Sequence, residues 1–141
     1  MSMARLFFSF EGRMSRQPYW LATTVVTAVM FVVTVILYNV VDDCVKIGTF
    51  VLLLALFIPF FWSTLALSAK RLHDRNKSAR WLFTFYLLPP ILKRFAEGAG
   101  GIGIVLLLAS AALSIWAVVE FGFLRGTAGP NDYGPDPLIG A

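Results

Sequence analysis

The chain has 141 residues, of which 58% are hydrophobic and only 14% are charged, against about 25% charged in an average soluble domain. Residues 17–41, 47–69, 81–92 and 98–119 carry no charge and together make up 82 of the 141 residues. A small soluble protein could not bury four such stretches, whereas lipid solvates them directly, so composition excludes a soluble enzyme domain, a disordered chain and a disulfide scaffold.

Residues 1–17 form a basic amphipathic segment ahead of the first apolar stretch. Phenylalanines alternate with polar residues there, and Arg5, Arg13 and Arg16 supply the positive charge. Such a segment can lie in the membrane interface, with its rings toward hydrocarbon and its guanidinium groups among the headgroups. A first membrane helix is predicted over residues 18–41, because hydrocarbon requires each segment to satisfy its own backbone hydrogen bonds.

A second membrane helix is predicted over residues 47–69, and the short loop 42–46 makes it an antiparallel hairpin with the first. The segment 70–80 that follows holds five Lys or Arg among eleven residues, the densest positive run in the chain. The positive-inside rule therefore places this segment in the cytoplasm. Residues 1–17 lie two crossings earlier and fall on the same side, which leaves the loop 42–46 facing outward.

The third apolar stretch, residues 81–92, is short for a membrane helix. Its twelve residues would cover about 18 Å of helix, against about 30 Å of hydrocarbon. Pro89 and Pro90 limit it further. Two interpretations stay open: a short or broken span that continues through Phe95, and a re-entrant or interfacial segment.

The fourth apolar stretch, residues 98–119, is long enough to cross, and Ser110 and Ser114 could make a close helix contact within it. The tail that follows, residues 120–141, carries three prolines within eight residues, which predicts consecutive turns. With four crossings the tail is cytoplasmic, and nine basic residues lie inside against three outside. With three crossings the tail lies outside, and the division is ten to two.

The glycines at the start of the fourth stretch fit the pattern G-x-G-x-x-G, with Gly98, Gly100 and Gly103 at its three positions. A dinucleotide site would need a preceding strand within a βαβ unit, which is not available here. Close helix packing or a flexible entry to the helix is the preferred interpretation. The sequence as a whole predicts an all-α, polytopic transmembrane helical bundle of four apolar segments, the third short or re-entrant. The bundle spans residues 18–119, between the segments 1–17 and 120–141.

His73, Asp74 and Ser78 fall within six residues of one another, and their side chains are those of a nucleophilic catalytic triad. A nucleophilic triad needs a base held by an orienting partner beside an oxyanion site, and no nucleophile elbow is present. Ion pairs on a helix surface are the preferred interpretation. A single histidine without a neighbouring cysteine, glutamate or second histidine is a poor metal site, so neither a metal nor a cofactor is predicted.

Three motifs stand in order along the chain: FEGRMSRQPYW at 10–20, KRLHDRNKSARW at 70–81 and GPNDYGPDP at 129–137. Together they resemble the YhaH/YhaI-type family of small bacterial inner-membrane proteins, catalogued as a domain of unknown function. The resemblance covers about residues 7–137. It implies an uncharacterised inner-membrane protein with no assigned activity and no catalytic residues to carry over. The segment KRFAE at 93–97 departs from the usual family pattern and leaves the number of spans open.

If the chain crosses four times, the three motifs meet at the cytoplasmic interface. Eight residues are then expected to form one hydrogen-bonded polar cluster with the tail docked on the bundle: Arg13, Arg16, Arg71, His73, Asp74, Asn131, Tyr133 and Asp136. Pairs of arginine and carboxylate within it could be bidentate. The alternative is a solvated basic rim with a free tail.

The predicted function is that of a non-enzymatic, multi-pass bacterial inner-membrane protein with a cytoplasmic N-terminus. Its polar cluster is expected to bind a membrane-protein partner or anionic lipid. Two alternatives are a membrane-embedded enzyme that acts on a lipid headgroup through His73 and Asp74, and a small transporter or channel component, as a homo-oligomer. Nucleic acid is not expected, because the basic residues cluster at the ends of the spans, where anionic headgroups attract them.

Overall fold

The computed structural model describes residues 3–40 and 46–139, and in these ranges the chain forms helices joined by turns, with no strand. The helices are α1 (Met3–Phe8), α2 (Arg16–Val40), α3 (Lys46–Asp74), α4 (Trp81–Tyr86), α5 (Leu88–Ala96) and α6 (Gly101–Val118), the last continued by a π-helical turn over Val119–Phe123. The all-α prediction is confirmed. The loop 42–46 was predicted to face outward. Its residues 42–45, with Cys44 among them, lie outside the described residues, and α3 begins at Lys46.

Among the described residues, three helical segments are long and apolar enough to cross a membrane: Arg16–Asn39, Phe50–Asp74 and Gly101–Phe123, with mean hydropathies of 2.3, 2.3 and 2.5. Their most apolar windows are only 11%, 17% and 11% buried within the protein. Large apolar side chains cover the outside of the bundle, as Leu21 and Phe31 show, at 71% and 69% exposed. In water such a surface would drive association, whereas hydrocarbon solvates it.

The start of α2, the end of α3 and the end of the π-helical turn lie together at one end of the bundle. Arg13, just before α2, pairs with Asp74 at the end of α3, and Arg16 donates to the carbonyl of Phe123 at 3.2 Å. Helices α2 and α3 are therefore antiparallel, and α6 runs in the same direction as α3. We call this end, formed by residues 11–16, 70–80 and 119–138, the polar end.

Helices α4 and α5 together form one arm of a hairpin, and α6 forms the other arm. Ser110 on α6 donates to the carbonyl of Pro89 at 2.9 Å, and the rings of Trp81 and Trp116 lie 5.6 Å apart. The third apolar stretch is thus two short helices that meet at Leu87, and it continues to Ala96 beyond the predicted end at residue 92. Neither α4 nor α5 is long enough to count among the three candidate membrane helices, so the structure supports three such helices and not four.

The glycine-rich turn between α5 and α6 makes the hairpin tight. The backbone φ angles of Gly98 and Gly100 are +87° and +57°, values that residues other than glycine rarely adopt. A Cβ on Gly103 would lie 2.6 Å from the carbonyl oxygen of Ala96. The pattern G-x-G-x-x-G therefore serves close helix packing, as the sequence favoured.

Two helices extend beyond the predicted apolar spans. Helix α3 was expected to end at residue 69, yet it continues through Asp74, so half of the basic segment is helical. Glu120 was expected to begin the tail, yet the helix continues through it to Phe123. In both places charged side chains are paired inside the fold, and helix can therefore extend beyond the apolar run.

Candidate functional site at the polar end

Asp74 is the centre of the polar end. Its Oδ1 accepts from Nε and Nη2 of Arg13 at 3.2 and 3.1 Å, and its Oδ2 accepts from Nη1 of Arg71 at 2.5 Å. The three side chains are only 4%, 1% and 0% exposed, respectively. Two guanidinium groups thus share one buried carboxylate, and loss of Asp74 would leave both of them without this counter-charge.

Arg71 also closes the C-terminal end of the helix formed by α6 and the π-helical turn. Its Nε donates to the carbonyl of Phe121 at 2.8 Å, and its Nη2 donates to the carbonyl of Leu124. The two carbonyls between them, of Gly122 and Phe123, accept hydrogen bonds from Trp20 and Arg16, respectively. The last carbonyls of a helix lack partners within it and attract cations, so Arg71 joins α3 to the end of α6.

The tail bonds to the corresponding carbonyls at the end of α3. The backbone N–H of Thr127 donates to the carbonyl of Asp74 at 2.8 Å, and Nδ2 of Asn131 donates to the carbonyl of His73 at 2.9 Å. Arg13 binds the tail from the other side, because its Nη2 donates to the carbonyl of Thr127 at 2.7 Å. The tail is therefore docked on the bundle rather than free in solvent.

His73 contacts the tail through its ring. The rings of His73 and Tyr133 are stacked, with centroids 3.9 Å apart and planes at 4°, and Nδ1 of His73 lies 3.2 Å from the carbonyl oxygen of Gly12. The imidazole thus lies between the first and the third sequence motif. It joins residues that are far apart in sequence.

Asp136 shapes the tail itself. Its carboxylate accepts the backbone N–H groups of Leu138 and Gly129, both at 2.9 Å, and these bonds lower the pKa of Asp136 below its usual value. The carboxylate is therefore ionised at neutral pH. Within the described ranges it makes no ion pair with an arginine, unlike the pairing that the sequence suggested.

A second buried carboxylate, Glu120, was missed by the sequence analysis. Its Oε1 lies 2.5 Å from Nε of Arg75 and 2.7 Å from Nζ of Lys77, and its side chain is 1% exposed. Glu120 directly follows an apolar stretch, and five basic residues in segment 70–80 needed counter-charges. That excess of positive charge was the available signal.

Lys70 is a further buried cation that the sequence did not single out. Its side chain is fully buried, and Nζ donates to the carbonyls of Arg5 and Leu6, both at 2.6 Å. These carbonyls belong to the last turns of α1, so Lys70 anchors this short helix against α3. Helix α1 is therefore joined to the polar end through Lys70.

An open cavity of about 300 Å³ lies beside the buried cluster. Arg16, Arg71 and Arg125 line it together with Asp74 and Asp136. Arg71 and Asp74 are occupied by each other, whereas Arg16 and Arg125 are exposed. In the part of the chain that the structure describes, the side chain of Arg125 has no hydrogen-bond partner.

The family described as "Protein of unknown function (DUF805)" matches residues 7–135. The chain belongs to this family. It is 28% identical to the "Inner membrane protein YhaI" of Escherichia coli (strain K12), over 100% of this chain and 96% of the relative. It is also 28% identical to the "Uncharacterized protein YiiR" of the same strain, over 96% and 90%. The resemblance found in the three motifs is thus confirmed. No solved structure matches the chain significantly.

In this DUF805 chain the structure brings most of the predicted polar cluster together. Arg13, Arg71 and Asp74 form its buried centre, Arg16 binds the end of the π-helical turn, and the tail supplies the rest. Asp136 stands apart, since its own bonds lie within the tail. The residues of the three family motifs thereby have a structural role: they join the start of α2, the end of α3 and the end of the π-helical turn.

The same contacts do not bring His73, Asp74 and Ser78 of this DUF805 chain together as a catalytic triad. Asp74 is held by Arg13 and Arg71, and the imidazole Nδ1 of His73 lies 3.2 Å from the carbonyl oxygen of Gly12. The Oγ of Ser78 accepts the backbone N–H of Arg80 rather than contacting His73. No relay from carboxylate to imidazole to hydroxyl follows from these contacts.

Proposed function

We propose that this chain is a non-enzymatic, multi-pass inner-membrane protein whose polar end faces the cytoplasm and binds anionic lipid headgroups. The membrane location is supported by three segments of membrane-spanning length and by a relative named as an inner membrane protein. The observation that carries the headgroup assignment is the pair of exposed guanidinium groups at the cavity, on Arg16 and Arg125.

An even number of crossings is supported by the positions of the helix ends. Helix α3 ends at the polar end, and α6 runs toward the same end, so the chain between them must travel to the opposite end. Residues Gly101–Phe123 correspond to about 34 Å of helix. In the proposed topology helices α4 and α5 make this return, and the tail then lies on the same side as the N-terminus.

The orientation is supported by the distribution of charge. Arg13, Arg16 and the basic segment 70–80 belong to the polar end, and Arg125 adds to them. At the opposite end of the hairpin Lys93 and Arg94 stand beside Glu97, which pairs with Arg94 at 2.9 Å. The positive-inside rule then favours a cytoplasmic polar end.

This topology can be tested by labelling single cysteines in spheroplasts with a membrane-impermeant maleimide. In a Cys44→Ser background, we expect Glu97→Cys to be labelled and Ser78→Cys and Leu138→Cys to be protected until the membrane is permeabilised. The native Cys44 provides the control for an outward position. Labelling of Leu138→Cys in sealed spheroplasts would contradict four crossings.

The headgroup assignment follows from which cations are already used. Arg13 and Arg71 are buried against Asp74, so they cannot reach a ligand outside. Arg16 uses Nη1 for the carbonyl of Phe123 and keeps its other donors, while Arg125 keeps all of its own. Two guanidinium groups at a membrane interface suit a phosphate group, which each can bind through two parallel hydrogen bonds.

We expect the double variant Arg16→Gln, Arg125→Gln to lose preference for anionic lipid. Each basic residue near a charged surface contributes about 1 kcal/mol, so selectivity should fall about fivefold per residue. The measurement is the association of spin-labelled phosphatidylglycerol relative to phosphatidylcholine in reconstituted membranes.

The matched control removes the same charge from the opposite end, through Lys93→Gln and Arg94→Gln. These variants should leave the selectivity unchanged when phosphatidylglycerol is confined to the leaflet at the polar end. An equal loss in both double variants would mean that only net charge matters. Unchanged selectivity in the Arg16 and Arg125 variant would also overturn the proposed function.

A further inference from the structure

An apolar groove opens between α3 and α4 on the side of the bundle that faces the membrane. Its volume is about 420 Å³. Aromatic and aliphatic side chains from both helices and the N-terminal segment form its walls: Phe10, Phe61, Leu65, Leu82, Phe83, Tyr86 and Leu87. Ala79 and Arg80 line its upper part, next to the polar end.

The groove is held open by the contacts of Tyr86. The hydroxyl of Tyr86 lies 2.9 Å from Oγ of Ser68 on α3, and its ring lies edge-on to Phe61 with centroids 6.5 Å apart. Helix α4 is therefore fixed to α3 beside the groove.

Arg80 gives the groove a charged mouth. The residue is exposed immediately before α4, and among the described residues its guanidinium has no hydrogen-bond or ion-pair partner. Its neighbours identify this level as the membrane interface, because Nζ of Lys77 lies 5.2 Å from the ring of Trp81 and 5.9 Å from that of Trp116. A free cation thus lies directly above an apolar space.

A second apolar groove provides the comparison. It has a volume of about 270 Å³ and lies between α1, α2 and α3. No charged side chain lines it: its walls are Phe7, Phe8, Val25, Val26, Val29, Pro59, Phe60 and Ser63. Of these two grooves in the described residues, the one between α3 and α4 combines an apolar interior with an exposed cation, which is the pattern that an anionic amphiphile requires.

We propose that the groove between α3 and α4 binds one acyl chain of an anionic phospholipid, and that Arg80 binds the phosphate of the same lipid. An apolar space of this size offers water no hydrogen-bond partners, whereas an acyl chain fills it. The guanidinium of Arg80 can hold a phosphate through two parallel hydrogen bonds. The site is separate from the cavity of Arg16 and Arg125 and does not depend on it.

Native mass spectrometry of the detergent-purified protein tests the occupancy of the groove. The wild-type chain should retain one phospholipid with phosphatidylglycerol preferred over phosphatidylcholine. Leu65→Trp should lose most of this adduct, because the larger side chain fills the groove. Val29→Trp, the same kind of change in the uncharged groove, should retain it. Equal retention by Leu65→Trp and the wild type would overturn the proposal.

The charge at the mouth is tested separately, without changing the apolar walls. Arg80→Gln should reduce the preference for phosphatidylglycerol about fivefold, and Arg80→Glu should reverse it. These variants decide the question even if Leu65→Trp fails to fold. The double variant Arg16→Gln, Arg125→Gln should keep the adduct, so failure of one lipid site can be distinguished from failure of the other. An unchanged preference in both Arg80 variants would exclude Arg80 as the phosphate ligand.

Discussion

Replacing Arg71 with alanine is expected to lower the free energy of unfolding by about 3–5 kcal/mol, as for other buried pairs that lose one partner. The substitution leaves Asp74 with Arg13 alone and removes the donors to the carbonyls of Phe121 and Leu124. The effect can be measured by titration with SDS in mixed micelles. Loss of helix should begin at a lower SDS fraction than in the wild type.

The control for this substitution is Arg94→Ala. Arg94 is also paired with a carboxylate three residues away, but its side chain is 78% exposed and that of Glu97 is 62% exposed. Exposed pairs of this kind contribute less than about 1 kcal/mol. A result in which both alanine variants unfold alike would show that Arg71 is not the joint between α3 and α6.

A lysine at position 71 separates charge from geometry. Arg71→Lys keeps a positive charge near Asp74 but cannot donate to a carboxylate and to two carbonyls at once. We expect it to recover only part of the stability lost in Arg71→Ala. Full recovery would mean that the charge alone is required.

Replacing Gly126 with alanine is expected to release the tail from the polar end. A Cβ at this position would lie 2.0 Å from Oδ2 of Asp74, so either the tail or the carboxylate has to move. Crowding of this kind costs about 1–3 kcal/mol. The N–H of Thr127, which donates to Asp74 in the wild type, should lose its protection from hydrogen exchange.

Gly101→Ala is the control for the tail substitution. It lies at the first position of α6, and a Cβ there meets nothing within 4 Å. Alanine favours helix by up to about 1 kcal/mol over glycine, so this variant should be as stable as the wild type and keep the protection of Thr127. Protection that survives in Gly126→Ala would contradict a docked tail.

The parts of the fold that were predicted correctly depend on composition alone. A long run without charge has one stable form in hydrocarbon, because only a helix satisfies its backbone groups locally. That argument identified α2, α3 and α6 without any knowledge of their neighbours. It was weakest at residues 81–96, where the run is short, prolines interrupt it and Lys93 and Arg94 follow within the same helix.

The candidate site was predictable only in part. The motifs indicated that Arg13, Arg71 and Asp74 share one interface, because two crossings return the chain to the same side of the membrane. They did not indicate Glu120, whose partner Arg75 is 45 residues away. Pairing across such a distance depends on which helices pack together, and local sequence patterns carry no such information.

The amino-acid sequence by itself therefore predicted a membrane protein, its apolar helices and the side of the membrane on which the positive charge is expected, since each prediction follows from transfer of local groups between water and hydrocarbon. Only the tertiary structure decided that α4 and α5 form a broken arm against α6, that Glu120 is buried and that the tail is docked. These features depend on contacts between segments up to 121 residues apart, as between Arg13 and the carbonyl of Gly134. These contacts stabilise the fold only once the helices have packed against one another.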